Sequence, residues 1–408
     1  MTKAVKRVAM VSMHTSPSAP AGQGDAGGMN VSLLATALEL ASLGVEVDLL
    51  TRASQEPSAT LLAPGVTLRT LVAGPRGELP KSELPRYSDE FGEAVARLIG
   101  RTKPRFDVIH SHYWMSGIAT LPVALELGLP FVQSFHTLGA MKNRRLAPGD
   151  RPETETRLRS ETFLANQADA IIAGSSAEVT SLIDQVGAPP DKIWVVPPGV
   201  DTSLFNPGRT TMAPVVRERL GVEPGRPIIS VVGRVQPLKG QDLAIRAVAA
   251  LTGQRPVLAV VGSPTPGAED YDSALKALTV ELGIDADVRF VGSIDREELA
   301  DLFAASVLTL LPSHSETFGL VALESAASGT PVIGSRATGL VESIADGESG
   351  LLLPSRDPEV WAAGISGLLG NPKRLIQLSS SAREHAHRFS WGTAAASLLG
   401  VYASLKRS

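Results

Sequence analysis

Short apolar runs alternate with stretches of helical periodicity along almost the whole chain, and this alternation limits the possible folds more than any other feature. Arg7–Met13 (RVAMVSM) reads as a strand. Asn30–Leu43 reads as a helix with Val31, Leu34, Ala35 and Leu38 on one face and Gly44 at its C-terminal stop. Val45–Leu50 reads as the next strand, and further strands are predicted at Val66–Val72, Phe106–His110, Pro130–Phe135, Ala170–Ala173 and Ile193–Val196. Strands alternating with helices predict parallel βαβ units. The Pro/Gly-rich stretch Pro197–Pro214 then breaks the pattern and predicts a linker. A second series follows: strands at Pro227–Val232, Val257–Val261, Val288–Val291, Val307–Leu311 and Pro331–Gly334, with a helix near Gln241–Leu251. At 408 residues the chain exceeds one ordinary core. The expectation is an α/β chain of two doubly wound halves, residues 1–205 and 206–389, with an amphipathic helix over Thr393–Leu405.

Composition excludes several classes. No cysteine is present, so there is no disulfide scaffold, thiolate metal site or Cys nucleophile. A net charge of −4 argues against a dedicated nucleic-acid binder. Met-Thr-Lys-Ala-Val-Lys-Arg runs straight into the first strand, with no signal-peptide pattern and no run of 18 apolar residues, so a cytoplasmic location without a membrane span is expected.

In open α/β sheets ligands bind at the carboxyl ends of strands, and two facing sheets make a cleft with one ligand per side. Polar residues just after predicted strands are therefore the candidates. Pro312-Ser-His-Ser-Glu316-Thr-Phe318-Gly319-Leu320 leads through Val-Ala-Leu to Glu324 and closes on Gly329-Thr330-Pro331. The Phe-Gly-Leu step opens a helix, whose unpaired N–H groups and positive dipole end suit a phosphate. A carboxylate on each side can hold sugar hydroxyls, so the stretch suits a nucleotide-sugar. On spacing alone it reads equally well as a solvated helix face. Gly233-Arg234-Val-Gln-Pro-Leu-Lys239-Gly240 follows a strand directly, and its Arg fork and Lys point charge can clasp a diphosphate.

Three patterns leave alternatives open. Gly22-x-Gly24-x-x-Gly27, with Asp48 further on, formally matches a dinucleotide fingerprint. The tight turn after the strand is missing, however, and a Gly-rich loop admitting a ligand close to backbone is the better reading. His110-Ser-His112-Tyr113-Trp114 could ligate a hydrolase metal, although no matching acidic set follows the other strands. His136, at a strand end beside Thr137, is the histidine most suited to chemistry. Lys81, Arg157 and Glu161 alone are ordinary surface charges, and Lys142, Arg144 and Arg145 add basic character that favours an anionic substrate.

Together, Glu316-x7-Glu324, Gly233-Arg234…Lys239-Gly240 and Asp25-Ala-Gly27-Gly28-Met-Asn30 resemble the retaining glycosyltransferases of the GT-B fold that carry a Glu-x7-Glu motif. Within that family the chain looks most like the branch that glycosylates an inositol phosphate in mycothiol biosynthesis. Its closest runs include His14-Thr-Ser-Pro, Gly24–Val31, His110–Trp114, His136-Thr-Leu and Arg234–Lys239. The resemblance implies two Rossmann-like domains facing across a cleft, with the last helix (390–408) returning to the first domain. It implies UDP-N-acetylglucosamine (UDP-GlcNAc) as donor, 1D-myo-inositol 3-phosphate as acceptor and retention of configuration. The donor side would use Gly28, Arg234, Lys239, Ile294, Glu316, Phe318, Gly319, Leu320 and Glu324. The acceptor side would use His14, Asp25, Asn30, Lys81, Tyr113, Thr137 and Arg157, with Lys81 and Arg157 on the phosphate. His136, Glu316, Arg234 and Lys239 would act at the reacting bond. The family also implies a homodimer, no cofactor required for catalysis, and in some members a peripheral Mg2+ at the place of Phe303, Ala304, Ser306 and Thr330. This chain departs from the family at Ser32, often Tyr, at Ser160, often Gly, and in the segment Arg76–Pro85.

Overall fold

A computed structural model of the chain describes residues 4–22 and 24–405. The first three residues, Gln23 and residues 406–408 lie outside the description, and with them the outer ends of the expected first domain and of the last helix. The chain forms two open sheets. The first contains β1 (Arg7–Val11), β2 (Glu46–Arg52), β3 (Ala59–Ala63), β4 (Val66–Leu71), β5 (Val108–His112), β6 (Phe131–Ser134), β7 (Ala170–Ala173) and β8 (Ile193–Val195). Their order is β3-β4-β2-β1-β5-β6-β7-β8, parallel except where β3 pairs antiparallel with β4 at the edge. The second contains β9 (Ile228–Val232), β10 (Val257–Val261), β11 (Val288–Gly292), β12 (Leu308–Leu311), β13 (Val332–Ser335) and β14 (Gly350–Leu353), in the order β11-β10-β9-β12-β13-β14 and parallel throughout. In both sheets the order reverses at the first strand, which opens a ligand crevice there.

The strands are apolar on both sides because helices cover both sides. In β1, Ala9 and Val11 join the core beneath helices Ser88–Arg101 and Trp114–Leu127. Val8 and Met10 point the other way, toward Leu33, Leu40, Leu398 and Tyr402. The last two belong to helix Trp391–Ser404, which packs on helix Gly28–Ser42 of the first domain. Two chain crossings therefore join the halves, and they touch: Val200 N donates to Phe389 O at 3.0 Å. Gly199 sits so close to the return that a Cβ there would lie 2.2 Å from Trp391 N.

Where the expected strands fall, most boundaries agree within about two residues. Phe106–His110 is the instructive shift: Phe106 is core, and β5 runs to His112, so His110 and His112 lie within the strand and not after it. The sequence pattern missed β3, whose first three residues are exposed, and β14, a four-residue strand. Between Val195 and the helix Ala213–Leu220 the chain has one 3-10 segment, Pro207–Met212. Asp48 is buried mid-strand, held by Arg7 Nη2 at 2.6 Å and by Arg69. It is a structural ion pair with no access to the cleft, which removes the dinucleotide reading.

Candidate active site

The carboxyl ends of both sheets enclose a cavity of about 1090 Å³. Two helix N-termini meet across it. One begins at Gly28 and the other at Leu320, and a Cβ on Gly28 would lie 3.2 Å from Leu320 Cδ1. Gly319, before the second helix, has φ 99°, and a Cβ there would strike Leu340 at 2.6 Å. Glycine is thus required for the turn that aims this helix. Both dipoles present positive ends to the same crevice.

Cations complete that wall. A Cβ on Gly27 would lie 3.9 Å from Arg234 Nε, so the guanidinium rests against the glycine loop. Lys239 Nζ donates to Glu316 Oε1 at 2.6 Å, and Ser313 Oγ donates to the same oxygen at 2.8 Å. Arg296 Nη1 donates to Glu324 Oε1 at 2.8 Å while its guanidinium covers the Phe205 ring. Burial raises the Glu324 carboxyl above its ordinary range, against the pull of Arg296. Ile294 lines the cavity beside Ser293, whose hydroxyl donates across the cleft to Gly22 O at 2.7 Å. Phe318 is nearly buried, its ring against Phe389.

The first domain supplies a second cationic group. The Tyr113 ring, on a residue with φ 72°, carries Lys81 Nζ at 4.5 Å and Arg157 Cζ at 4.9 Å, with the His14 ring at 4.5 Å. Arg157 opens a helix capped by Thr154. It donates to Thr137 O at 2.8 Å and Thr137 Oγ1 at 3.0 Å, and pairs with Glu161 at 2.7 Å and Glu153 at 3.1 Å. Glu161 also accepts from Gly139 N, so this carboxylate orients Arg157 and is not itself a ligand. Lys142 lines the cavity and pairs with Glu153 at 2.9 Å, whereas Arg144 and Arg145 are exposed and outside it. Asp25 stands between the two groups, 3.6 Å from Lys81 Nζ and 3.6 Å from Arg234 Nη1.

Of the expected residues, His14, Asp25, Gly28, Lys81, Tyr113, His136, Thr137, Arg157, Arg234, Lys239, Ile294, Glu316, Phe318, Gly319, Leu320 and Glu324 all line this cavity. Asn30 does not. Its carbonyl accepts from Gly27 N at 3.0 Å and its amide donates to Thr15 Oγ1 and Ser16 O, so it shapes the glycine loop from behind. Sequence reasoning passed over Arg296 and Ser293, whose partners are remote in sequence, and Glu153, whose i,i+4 spacing to Arg157 was readable.

The histidines do not form a metal site. His110 spends both nitrogens, on Tyr402 OH at 2.6 Å and Ser134 Oγ at 2.9 Å. His112 Nδ1 and His136 Nε2 are bonded to each other at 2.8 Å. Burial lowers His110 to about 3 and His136 to about 4, and lowers His14 and His112 well below the ordinary value, so all four are neutral at pH 7. Among the described residues no group of three His, Asp or Glu is placed to hold a metal. At the suggested Mg2+ position, Thr330 Oγ1 donates to Phe303 O at 2.6 Å and reaches Ser306 O at 3.3 Å, while Ala304 has no polar side chain. One hydroxyl and two main-chain carbonyl oxygens therefore converge at this place.

Comparison with known proteins agrees with this architecture. The family described as Glycosyl transferases group 1 matches residues 214–385, and Glycosyltransferase Family 4 matches 26–204. The chain is 43% identical to a D-inositol 3-phosphate glycosyltransferase of Acidothermus cellulolyticus, over 97% of this chain and 90% of that protein. It is 42% identical to one of Thermobispora bispora, over 98% and 94%. Among solved structures, sucrose-phosphate synthase from Thermosynechococcus elongatus superposes with TM-score 0.88 at 30% identity, covering 97% of this chain and 98% of that one. Anabaena HepE, in complex with UDP and glucose, shares the fold at TM-score 0.79 and 21% identity, covering 98% and 100%.

Proposed function

The chain belongs to the GT-B glycosyltransferases, in the family of the D-inositol 3-phosphate glycosyltransferases, and from that premise we propose that it moves N-acetylglucosamine from UDP-GlcNAc to 1D-myo-inositol 3-phosphate with retention, the first step of mycothiol biosynthesis. One observation carries this reading: the cleft holds two separate anion-binding groups, one in each domain. Arg234, Lys239 and the amides at Phe318–Leu320 suit the diphosphate of a nucleotide-sugar. Lys81, Tyr113, Thr137 and Arg157 suit a single phosphate on a small acceptor.

In the proposed reaction the bond between the sugar C1 and the diphosphate oxygen breaks, and negative charge grows on UDP. Arg234, Lys239 and the helix N-terminus are already in place to stabilise that charge, so they lower the barrier without reorganising. A double-displacement route needs a free carboxylate nucleophile. Five carboxylates line the cavity: Asp25, Glu153, Glu316 and Glu324 are each held by a cation, and Glu178 is buried, with Oε2 accepting from Gly174 N at 2.8 Å. The proposal is therefore same-face attack: an acceptor hydroxyl oxygen bonds to C1 on the side the phosphate leaves, and the departing phosphate oxygen takes its proton. No step requires a metal. A cytoplasmic homodimer completes the proposal, and sedimentation velocity tests the assembly. Among the described residues no helix is long and apolar enough to cross a membrane.

The deciding experiment is UDP release from UDP-GlcNAc with and without myo-inositol 3-phosphate, using plain myo-inositol as control. Release only with the phosphorylated acceptor supports donor, acceptor and the Lys81/Arg157 role together. Release with plain myo-inositol, or none, moves the search to other donors and acceptors.

A further inference from the structure

Within the transfer reaction proposed above, we infer that His112 is a positioning residue that fixes the tautomer of His136, making His136 a hydrogen-bond donor to the substrate and not a base. His112 Nδ1 and His136 Nε2 share one hydrogen across 2.8 Å. The other nitrogen of each ring shows which one owns it. His112 Nε2 is buried and no described group bonds to it. If His136 donated, the proton of neutral His112 would sit on that Nε2 as an orphaned N–H, stripped of water with nothing in return. Buried N–H groups without partners are also rarer than under-satisfied acceptors. If His112 donates, its Nε2 is only a bare lone pair, and the single proton of His136 is on Nδ1.

The surroundings hold the pair in this state. The His110 ring lies tilted against that of His112, centroids 4.1 Å apart, but has committed both nitrogens, so it cannot exchange roles with its neighbour. The main chain of His136, at φ 59°, is pinned from the second domain by Thr317 Oγ1, which donates to His136 O at 2.5 Å. His136 lines the cavity, and no described group engages its Nδ1. An Nδ1–H there can donate to a sugar hydroxyl or phosphate oxygen. It offers the substrate no lone pair, so it cannot accept the proton of the acceptor hydroxyl, and that proton must go to the leaving phosphate.

Two measurements test the inference. The first is a long-range 1H–15N correlation on the full-length protein labelled with 15N-histidine at neutral pH without substrate, with His136→Gln and His112→Asn spectra for assignment. A protonated, pyrrole-type Nδ1 and a bare, pyridine-type Nε2 on His136 are expected. The reverse pattern, or a doubly protonated ring, overturns the inference. The second compares two variants of like shape: His112→Asn keeps an N–H donor at the δ position, and His112→Asp offers only an acceptor. We expect kcat for the Asp variant ~10²-fold below that of the Asn variant, the scale of losing one transition-state hydrogen bond, with much less change in acceptor KM. Equal kcat values overturn it. The ring pattern is read without turnover. A chain that transfers no sugar at all can still show it, which separates failure of this inference from failure of the proposed reaction.

Discussion

Lys239 and Glu316 form an ion pair that a diphosphate would have to share, because both residues line the cavity together with the Leu320 helix start. In the proposed transfer, replacing the lysine with alanine removes a group whose attraction would grow as charge moves onto UDP, so the loss would fall on turnover. Lys239→Ala should lower kcat ~10²–10³-fold in the UDP-release assay, and near-normal turnover would refute its role. Glu178 supports a prediction of a different kind. It is buried in the helix Ser176–Ser181 that follows β7, with Oε2 accepting from Gly174 N at 2.8 Å and Oε1 unpartnered. Its folded pKa of about 7 lies above the ordinary carboxylate value, so folding favours its protonated form. The destabilisation from ionising it is absent below about pH 4.5, grows as pH rises towards 7, and is complete above that, at roughly 3 kcal/mol. Glu178→Gln cannot ionise. Its stability gain over the parent in urea melts should appear at pH 8 and vanish near pH 4.5, and a pH-independent difference would contradict the argument.

The Leu320–Ala327 helix shows how an element makes a site that its residues could not make singly. Gly319→Ala would add a Cβ at φ 99° and 2.6 Å from Leu340, turning the first amides away from the crevice. A loss of roughly 1–3 kcal/mol in stability is expected, together with a higher KM for the nucleotide-sugar and little change in acceptor KM. Equal shifts in both KM values would show that the turn does not serve the donor. Elements of this kind were legible in the sequence to different depths. The β9 and β10 runs read clearly because Ile and Val fill both faces, and the Phe-Gly-Leu step read as a helix start. The site's location followed from those strands, since polar residues after parallel strands must meet at one end. Edge strand β3 did not read, because its solvent-facing residues break no pattern that a loop would not also break. Partners were hidden wherever the fold sets the distance: Glu161 lies one helical turn from Arg157 and was within reach, whereas Arg296 reaches Glu324 from another helix. His112 was seen as part of a His-x-His pair, but its bond to His136 comes from neighbouring strands and leaves no trace in spacing.

At the scale of the molecule, the two domains are fastened along a seam that runs through the site itself. Ser175 Oγ donates to Thr317 O at 2.7 Å, Thr317 Oγ1 donates to His136 O, and Ser293 Oγ donates to Gly22 O. Glu342, from the second domain, accepts from Ser176 N and Ser176 Oγ, both at 2.7 Å, at the start of a helix of the first. Thr317 adjoins Glu316, so fastening the seam sets the distance between the donor carboxylate and the first-domain histidines. Each domain has its own sheet and core, so loosening the seam should change closure more than folding. Glu342 touches no expected substrate position, which makes it the cleanest handle. Glu342→Ala removes charge-assisted bonds worth roughly 1.5–3 kcal/mol apiece at most, much of it returned by water at this partly exposed edge. A fall of ~10-fold in kcat/KM is expected, with a larger radius of gyration by small-angle scattering. The urea midpoint should stay close to the parent's. Saturating UDP should bring the radius of gyration back towards the parent value, because a ligand held by both helix N-termini favours the closed arrangement by its differential affinity. An unchanged radius with lower activity would place the Glu342 effect in the local helix start and not in closure.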